Sequence, residues 1–147
     1  MLGGFEKYPE RPPSEAEWED LLVRYEIAPR AVRIAVEDTP AAPLPDALRT
    51  LLAAEAWSAA VLGALREGRP LPGETGDDFA DLPARAGADR FASLRAKNFA
   101  SLQRRGIDVW GWGAEDDDGV RVTPYRLLNA AVALDGWTLA ELRRGGG

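Results

Sequence analysis

The stretch NAAVALDGWTLAELRR, Asn129 to Arg144, has the periodicity of a closing helix. Leu127 and Leu128 precede it, and Ala131, Leu134, Thr138, Leu139 and Leu142 then recur at the spacing of one helical face. Asp135 falls in the middle of that face. A carboxylate on the side that must be buried is costly unless something neutralises it. This helix therefore asks for a charged partner as well as for a core.

The rest of the chain supplies both. At 147 residues it is long enough for one domain with a real core. Alanine and leucine outnumber β-branched residues, which favours helix. A net charge of −6 with no basic patch argues against nucleic acid and against an anionic membrane surface as partners. No apolar run is expected to span a membrane, and the first residues lack a signal-peptide pattern, so the expected location is cytoplasmic. Cysteine and histidine are both absent. That excludes disulfides, a thiol nucleophile, an imidazole base and the commonest zinc ligands.

Residues 1–13, rich in Gly and Pro, read as a flexible N-terminal tail, and 145–147 as a C-terminal one. Between them, 14–144 read as a single bundle. Ser14-Glu15-Ala16-Glu17 has the S-x-x-E form of a capping box, so a helix starts there. Trp18, Leu21, Leu22, Tyr25, Ala28, Val32 and Val36 form its apolar face. Pro29 removes one backbone bond and predicts a kink near Tyr25. Prolines punctuate the connector from Asp38 to Pro45. Asp46 is the expected cap of a second helix whose inner face is Leu48, Leu51, Leu52, Ala59, Leu62 and Leu65, closed by Gly68. Arg69 to Ala88 reads as a long crossover loop. Asp89 opens a third helix with Phe91, Leu94, Phe99 and Leu102, ending at Gly106. Ile107 to Val122 reads as a structured loop or short hairpin, and Thr123-Pro124 as the cap and first residue of the final helix.

Four amphipathic helices joined by two long connectors predict an all-α four-helix bundle. Whether neighbouring helices run parallel stays open. Near the midpoint of each helix the apolar face is interrupted by a polar residue: Tyr25, Glu55, Asn98 and Asp135. Helices of matched length share a central layer whichever way they run, so these four are expected together, with Arg95 and Thr138 in reach. Two readings follow. Either Arg95 neutralises a carboxylate in a closed network that sets helix register, or the layer lines a pocket.

Three other features carry less chemistry. Glu115-Asp116-Asp117-Asp118-Gly119 is similar to part of a calcium loop, but Ala114 stands where the first ligand belongs, so a solvated turn is expected. Trp110 and Trp112 sit among acidic residues that repel phosphates, which favours packing over a bundle end. Val23, Ile27 and Ile34 form a second apolar strip on the outer side of the first helix, either a chance pattern or, as the favoured reading, a subunit contact in a homodimer.

The segments LRTLLAAEAWSAAVLGALREGRPLP (48–72) and VTPYRLLNAAVALDGWTLAEL (122–142) resemble the second and last helices of the DinB-like superfamily, with its H-L-x-x-x-E and H-D-x-x-H-L patterns. The tryptophan-bearing loop before the last helix resembles that family too, and the likeness runs from Ser14 onward. The resemblance implies a metal-binding bundle, in some members a thiol transferase, holding a divalent ion through three histidines. Those positions correspond here to Thr50 (or Leu51 one residue on), Leu134 and Thr138, none of which replaces imidazole. The acidic members of the two patterns persist as Glu55 and Asp135. The implied site is one without a metal and without a cofactor. Three functions follow as expectations. The first is a metal-free small-molecule binding or stress-related module, its pocket lined by Tyr25, Thr50, Arg95, Asn98, Leu134 and Thr138. The second is a thiol-transferase-like enzyme with Glu55 or Asp135 as general base. The third is a structural or interaction protein with a vestigial site.

Overall fold

A computed structural model describes residues 2–73, 79, 81–103 and 111–145. The expected ends and tips at Gly106, Trp110 and residues 146–147 lie outside the described residues. Four helices account for the architecture: α1 (Glu15–Ala35), α2 (Asp46–Glu67), α3 (Ala84–Gln103) and α4 (Pro124–Gly145). A two-stranded hairpin, β1 (Ala114–Glu115) and β2 (Arg121–Val122), precedes α4. The fold is the all-α four-helix bundle that the periodicity predicts.

The start of α1 follows the sequence closely. The Ser14 hydroxyl accepts from the Glu17 amide, and the Glu17 carboxylate accepts from the Ser14 amide, which closes the capping box. Arg11 also donates to that carboxylate, and Arg11 together with the Ser14 amide holds its pKa down to about 2. At the far end of α2, Gly68 takes a left-handed φ of 67°. Its amide and that of Arg69 return to Leu65 and Ala64, completing a Schellman motif. Thr123 caps α4 through its hydroxyl, which accepts from the Arg126 amide.

The apolar core falls into two clusters. One joins Leu21, Val61, Leu62, Leu65, Leu102, Leu127 and Leu128; the other joins Val32, Val36, Leu48, Leu51, Leu52, Phe91 and Leu142. The first thus collects the start of α1 and α4 with the end of α2 and α3, and the second collects the opposite ends. It follows that α1 and α4 run one way and α2 and α3 the other. α3 and α4 each pack against both α1 and α2, so α1 faces α2, and α3 faces α4, across the bundle axis. The long connectors therefore do produce parallel neighbours.

Several local expectations are corrected. Helix α3 begins at Ala84, five residues before Asp89. Gly87 and Ala88, which look like loop residues, are buried in its first turns. A Cβ at Gly87 would lie 2.3 Å from the end of the Leu44 side chain, so the glycine lets α3 sit close against the connector before α2. Pro45, not Asp46, holds the N-cap of α2 and offers no side-chain bond. Asp46 is the first helical residue, its carboxylate at the positive end of the helix and 3.0 Å from Arg49. Ala59 is exposed; Trp57, Ser58 and Val61 turn inward instead. The first residues are no free tail, because Leu2 and Phe5 are buried in the core and Arg126 donates to the Tyr8 carbonyl at 3.0 Å. Helix α2 is long and apolar enough by composition to cross a membrane, contrary to expectation. Most of it is buried against the other helices, and Glu55 sits at its middle.

The acidic run forms the hairpin turn. The Asp116 carboxylate accepts from the Asp118 and Val120 amides at 2.9 Å, and its backbone pairs with Val120 and Gly119. Trp112 is half-buried and packs on the adjoining core cluster, as expected at a bundle end.

Two glycines of α2 generate a test with opposite signs. An added Cβ at Gly63, inside the helix, meets nothing closer than Arg69 at 3.9 Å, whereas Gly68 sits at positive φ. Urea unfolding of Gly63→Ala should show a gain of about 0.5–1 kcal/mol. Gly68→Ala should show a loss of about 1–2 kcal/mol.

Candidate functional site

The polar layer lies where the two core clusters meet, and each helix brings its member there for an evident reason. Tyr25 lies between Leu21 and Val32, Glu55 between Leu52 and Leu62, Asn98 between Phe91 and Leu102, and Asp135 between Ala131 and Leu142. All are buried, with Arg95 and Thr138. Apolar neighbours above and below leave these side chains no route to water, and their polar atoms pair within the layer except for Arg95 Nε and the Thr138 hydroxyl.

Arg95 organises the layer. One guanidinium nitrogen, Nη1, donates to the Tyr25 carbonyl at 2.6 Å and to Asp135 Oδ2 at 2.9 Å. The other, Nη2, donates to Asp135 Oδ1 at 2.8 Å and to Glu55 Oε1 at 2.9 Å. The pairing with Asp135 is bidentate, the strong form of this interaction. A single side chain of α3 thereby bonds to α1, α2 and α4. The Tyr25 ring lies under the guanidinium at 3.9 Å, and the Phe91 ring at 4.8 Å.

Glu55 is closed from the other side. Tyr25 donates its hydroxyl to Oε2 at 2.8 Å, reaching across the bundle axis from α1 to α2. Asn98 donates to the same oxygen at 2.7 Å and to the Glu55 carbonyl at 3.2 Å. The Tyr25–Glu55 and Arg95–Asp135 bonds are thus the two diagonals of the bundle.

Pro29 explains the fourth acceptor. Without an N–H it leaves the Tyr25 carbonyl, one turn back, with no helical donor. Helix α1 continues through Pro29 to Ala35, and Arg95 fills the vacated position. A residue that looks like a helix defect supplies a buried acceptor for a buried cation.

The electrostatics follow from burial and pairing. Burial alone would lower the Arg95 pKa, but Glu55 and Asp135 raise it above its ordinary value, so the guanidinium stays charged. Burial pushes the Asp135 carboxyl up, and the Arg95 bonds offset only part of that shift. Burial, with Glu55 beside it, raises the Tyr25 phenol well above its ordinary range, so it remains a neutral donor.

Of the expected site residues, Tyr25, Glu55, Arg95, Asn98 and Asp135 come together. Thr138 is fully buried beside them in sequence, but its hydroxyl has no hydrogen-bond partner. Thr50 and Leu134 are only half-buried and bring no polar atom into the network. The three positions that correspond to histidines of a DinB-like metal site thus assemble no donor set, and both carboxylates are already held by Arg95. Among the described residues, no group of three or more acidic side chains converges as a metal site would require. The residues here do not fit the metal.

Two clefts among the described residues lie away from this layer. One, of about 410 Å³, lies under the N-terminal segment between Phe5, Trp57, Leu71 and the Asp116–Asp118 turn. Another is a surface groove on α1 at Val23, Glu26, Ile27 and Arg30. The expected central pocket is occupied by the Arg95 guanidinium. What the sequence reading missed is that one arginine could engage both acids, and that Pro29 would prepare a backbone acceptor for it.

Compared with known proteins, the chain matches no family model, no curated protein and no solved structure.

Arg95→Met should cost about 3–5 kcal/mol in chemical unfolding, because it strands two buried carboxylates. The combined Glu55→Leu, Arg95→Met and Asp135→Leu protein should recover most of that loss, since it buries no uncompensated charge. The raised Asp135 carboxyl sets a pH signature. The native state holds this proton more tightly than the unfolded chain, so its contribution is complete below the ordinary value of 3.8. It declines as pH rises through the interval from that value to the folded one. Stability measured against Asp135→Asn across this interval should fall for the native sequence relative to the variant. A constant difference at all pH values would contradict the raised carboxyl.

Proposed function

We propose that this chain is a DinB-like bundle without the metal site, acting in the cytoplasm as an interaction module rather than as a catalyst. The observation that carries this reading is the burial of Glu55 and Asp135 with each of their oxygens already paired inside the core. A general base must come within hydrogen-bond reach of a substrate proton. Here both Asp135 oxygens accept from Arg95, and Glu55 accepts from Arg95, Tyr25 and Asn98. Both carboxylates are also buried away from any solute. The polar layer then serves register and stability, and function moves to the surface.

A second reading, small-molecule binding, is favoured by one feature. The cleft under the N-terminal segment is of ligand size and has Trp57 and Leu71 in its lining. A metabolite panel read by thermal shift tests it, because a binder stabilises the folded chain by RT ln(1 + [L]/Kd) and so raises the melting temperature.

Protein purified without an affinity tag should contain far less than one equivalent of zinc or nickel by elemental analysis, and chelator should leave its melting temperature unchanged. A screen with thiol cofactors should give no turnover. Thiol transfer that is lost in Asp135→Asn would overturn the interaction reading, as would a full equivalent of metal whose removal unfolds the protein.

A further inference from the structure

The outer face of α1 carries a second seam, separate from the one that packs the core. Ala16, Asp20, Val23, Ile27, Arg30 and Ile34 follow one another at spacings of 4, 3, 4, 3 and 4, the heptad rhythm of a helix that pairs with another helix. All six are exposed; Val23, Ile27 and Ile34 stand at 60%, 60% and 56%, the largest exposed apolar side chains of α1. A groove opens at Val23, Glu26, Ile27 and Arg30. The core of the domain is complete without this face.

From this seam we infer that α1 pairs with α1 of a second copy, antiparallel, about a two-fold axis at the level of residue 25. The inference rests on the interaction reading above and names its partner. Charge decides the orientation. Glu15, Glu17, Glu19 and Asp20 make the first half of α1 acidic, and Arg30 and Arg33 make its second half basic. A parallel pair would set Asp20 against Asp20 and Arg30 against Arg30. In the antiparallel pair, Val23 meets the other copy's Ile27, Asp20 meets its Arg30 and Ile34 covers its Ala16. Each of these layers occurs twice by symmetry, as an isologous contact requires. Among the described residues, Arg30 has no ion-pair partner within its own chain. The antiparallel register shifted by one heptad keeps an apolar layer, Val23 against Ile34, but places Asp20 against Glu37 and covers Ile27 with Arg30, so it sets like charges together. One helix per copy buries little area, so the dimer belongs to the weak, micromolar class and loosens as salt screens its charged layers.

Two charge reversals test it by sedimentation over a range of concentration. Asp20→Arg alone turns both contacts with Arg30 into pairs of like positive charge. Arg30→Glu alone turns both contacts with Asp20 into pairs of like negative charge. Each variant should self-associate at least about tenfold more weakly than the native chain. An equimolar mixture of the two variants forms a heterodimer in which one of the two contacts joins the introduced arginine to the introduced glutamate and the other keeps the native Asp20–Arg30 pair. Both contacts are then of opposite charge, so this heterodimer should be as tight as the native dimer. Both positions are exposed, so melting temperatures should stay near native, which separates lost pairing from lost folding. A native chain that is monomeric at every concentration overturns self-pairing and leaves the interaction reading intact. So does a dimer indifferent to both reversals, or a mixture that fails to reassociate. Asp135-dependent turnover would instead remove the interaction reading, whatever sedimentation shows.

Discussion

The Arg95 guanidinium is the interaction on which the rest of this bundle depends. It sits on the axis, bonds to the other three helices, and is the cation that allows Glu55 and Asp135 to be buried at all. The balance is specific to the set. Removing the arginine leaves two charges in an apolar interior, whereas replacing all three groups leaves none. The layer therefore says more about which arrangement of helices is selected than about how stable that arrangement is. A shift of one helix by a turn would move its polar residue into an apolar cluster and break several bonds together.

That selectivity matters because the topology is not the simplest one. Two pairs of neighbours run parallel, and a parallel pair cannot be joined by a tight turn. The connectors are long, and they constrain register weakly. The bonds along the two diagonals, Tyr25 to Glu55 and Arg95 to Asp135, link the helices that do not pack directly on one another. Helix pairs that pack on one another are aligned by ridges and grooves, and pairs across the axis are aligned by hydrogen bonds. Gly87 adds a steric mark of the same kind, since it lets α3 approach Leu44 closely.

The electrostatics have a functional consequence. Acid or base chemistry in a protein interior needs a titrating group and an approach for the substrate. The acids of this core are buried, with no cleft described beside them. Their burial raises the Asp135 carboxyl, as it does in many active sites, yet the bidentate Arg95 contact holds both of its oxygens. A perturbed carboxyl is here the mark of a structural network. Outside the core, α1 turns a heptad seam with an acidic and a basic half toward solvent.

Much of this was legible in the sequence, and the division has a physical basis. Periodicity located four helices, the S-x-x-E capping box located the start of α1, and Gly68 located the end of α2, because each depends on residues a few positions apart. The polar midpoints were legible for the same reason: Tyr25, Glu55, Asn98 and Asp135 each interrupt a local apolar pattern. The start of α3 was not, because Gly87 and Ala88 read as loop residues until Leu44 is brought against them. The packed first residues were equally hidden, since Leu2 and Phe5 are isolated apolar residues whose core partners lie far along the chain. Above all, whether the inward acids face a pocket or a cation depended on the reach of one arginine across three helix interfaces. Local patterns determine which residues must be buried; only the packed bundle determines which of them meet, because hydrogen bonds to Arg95 need three helices placed to within a fraction of an ångström.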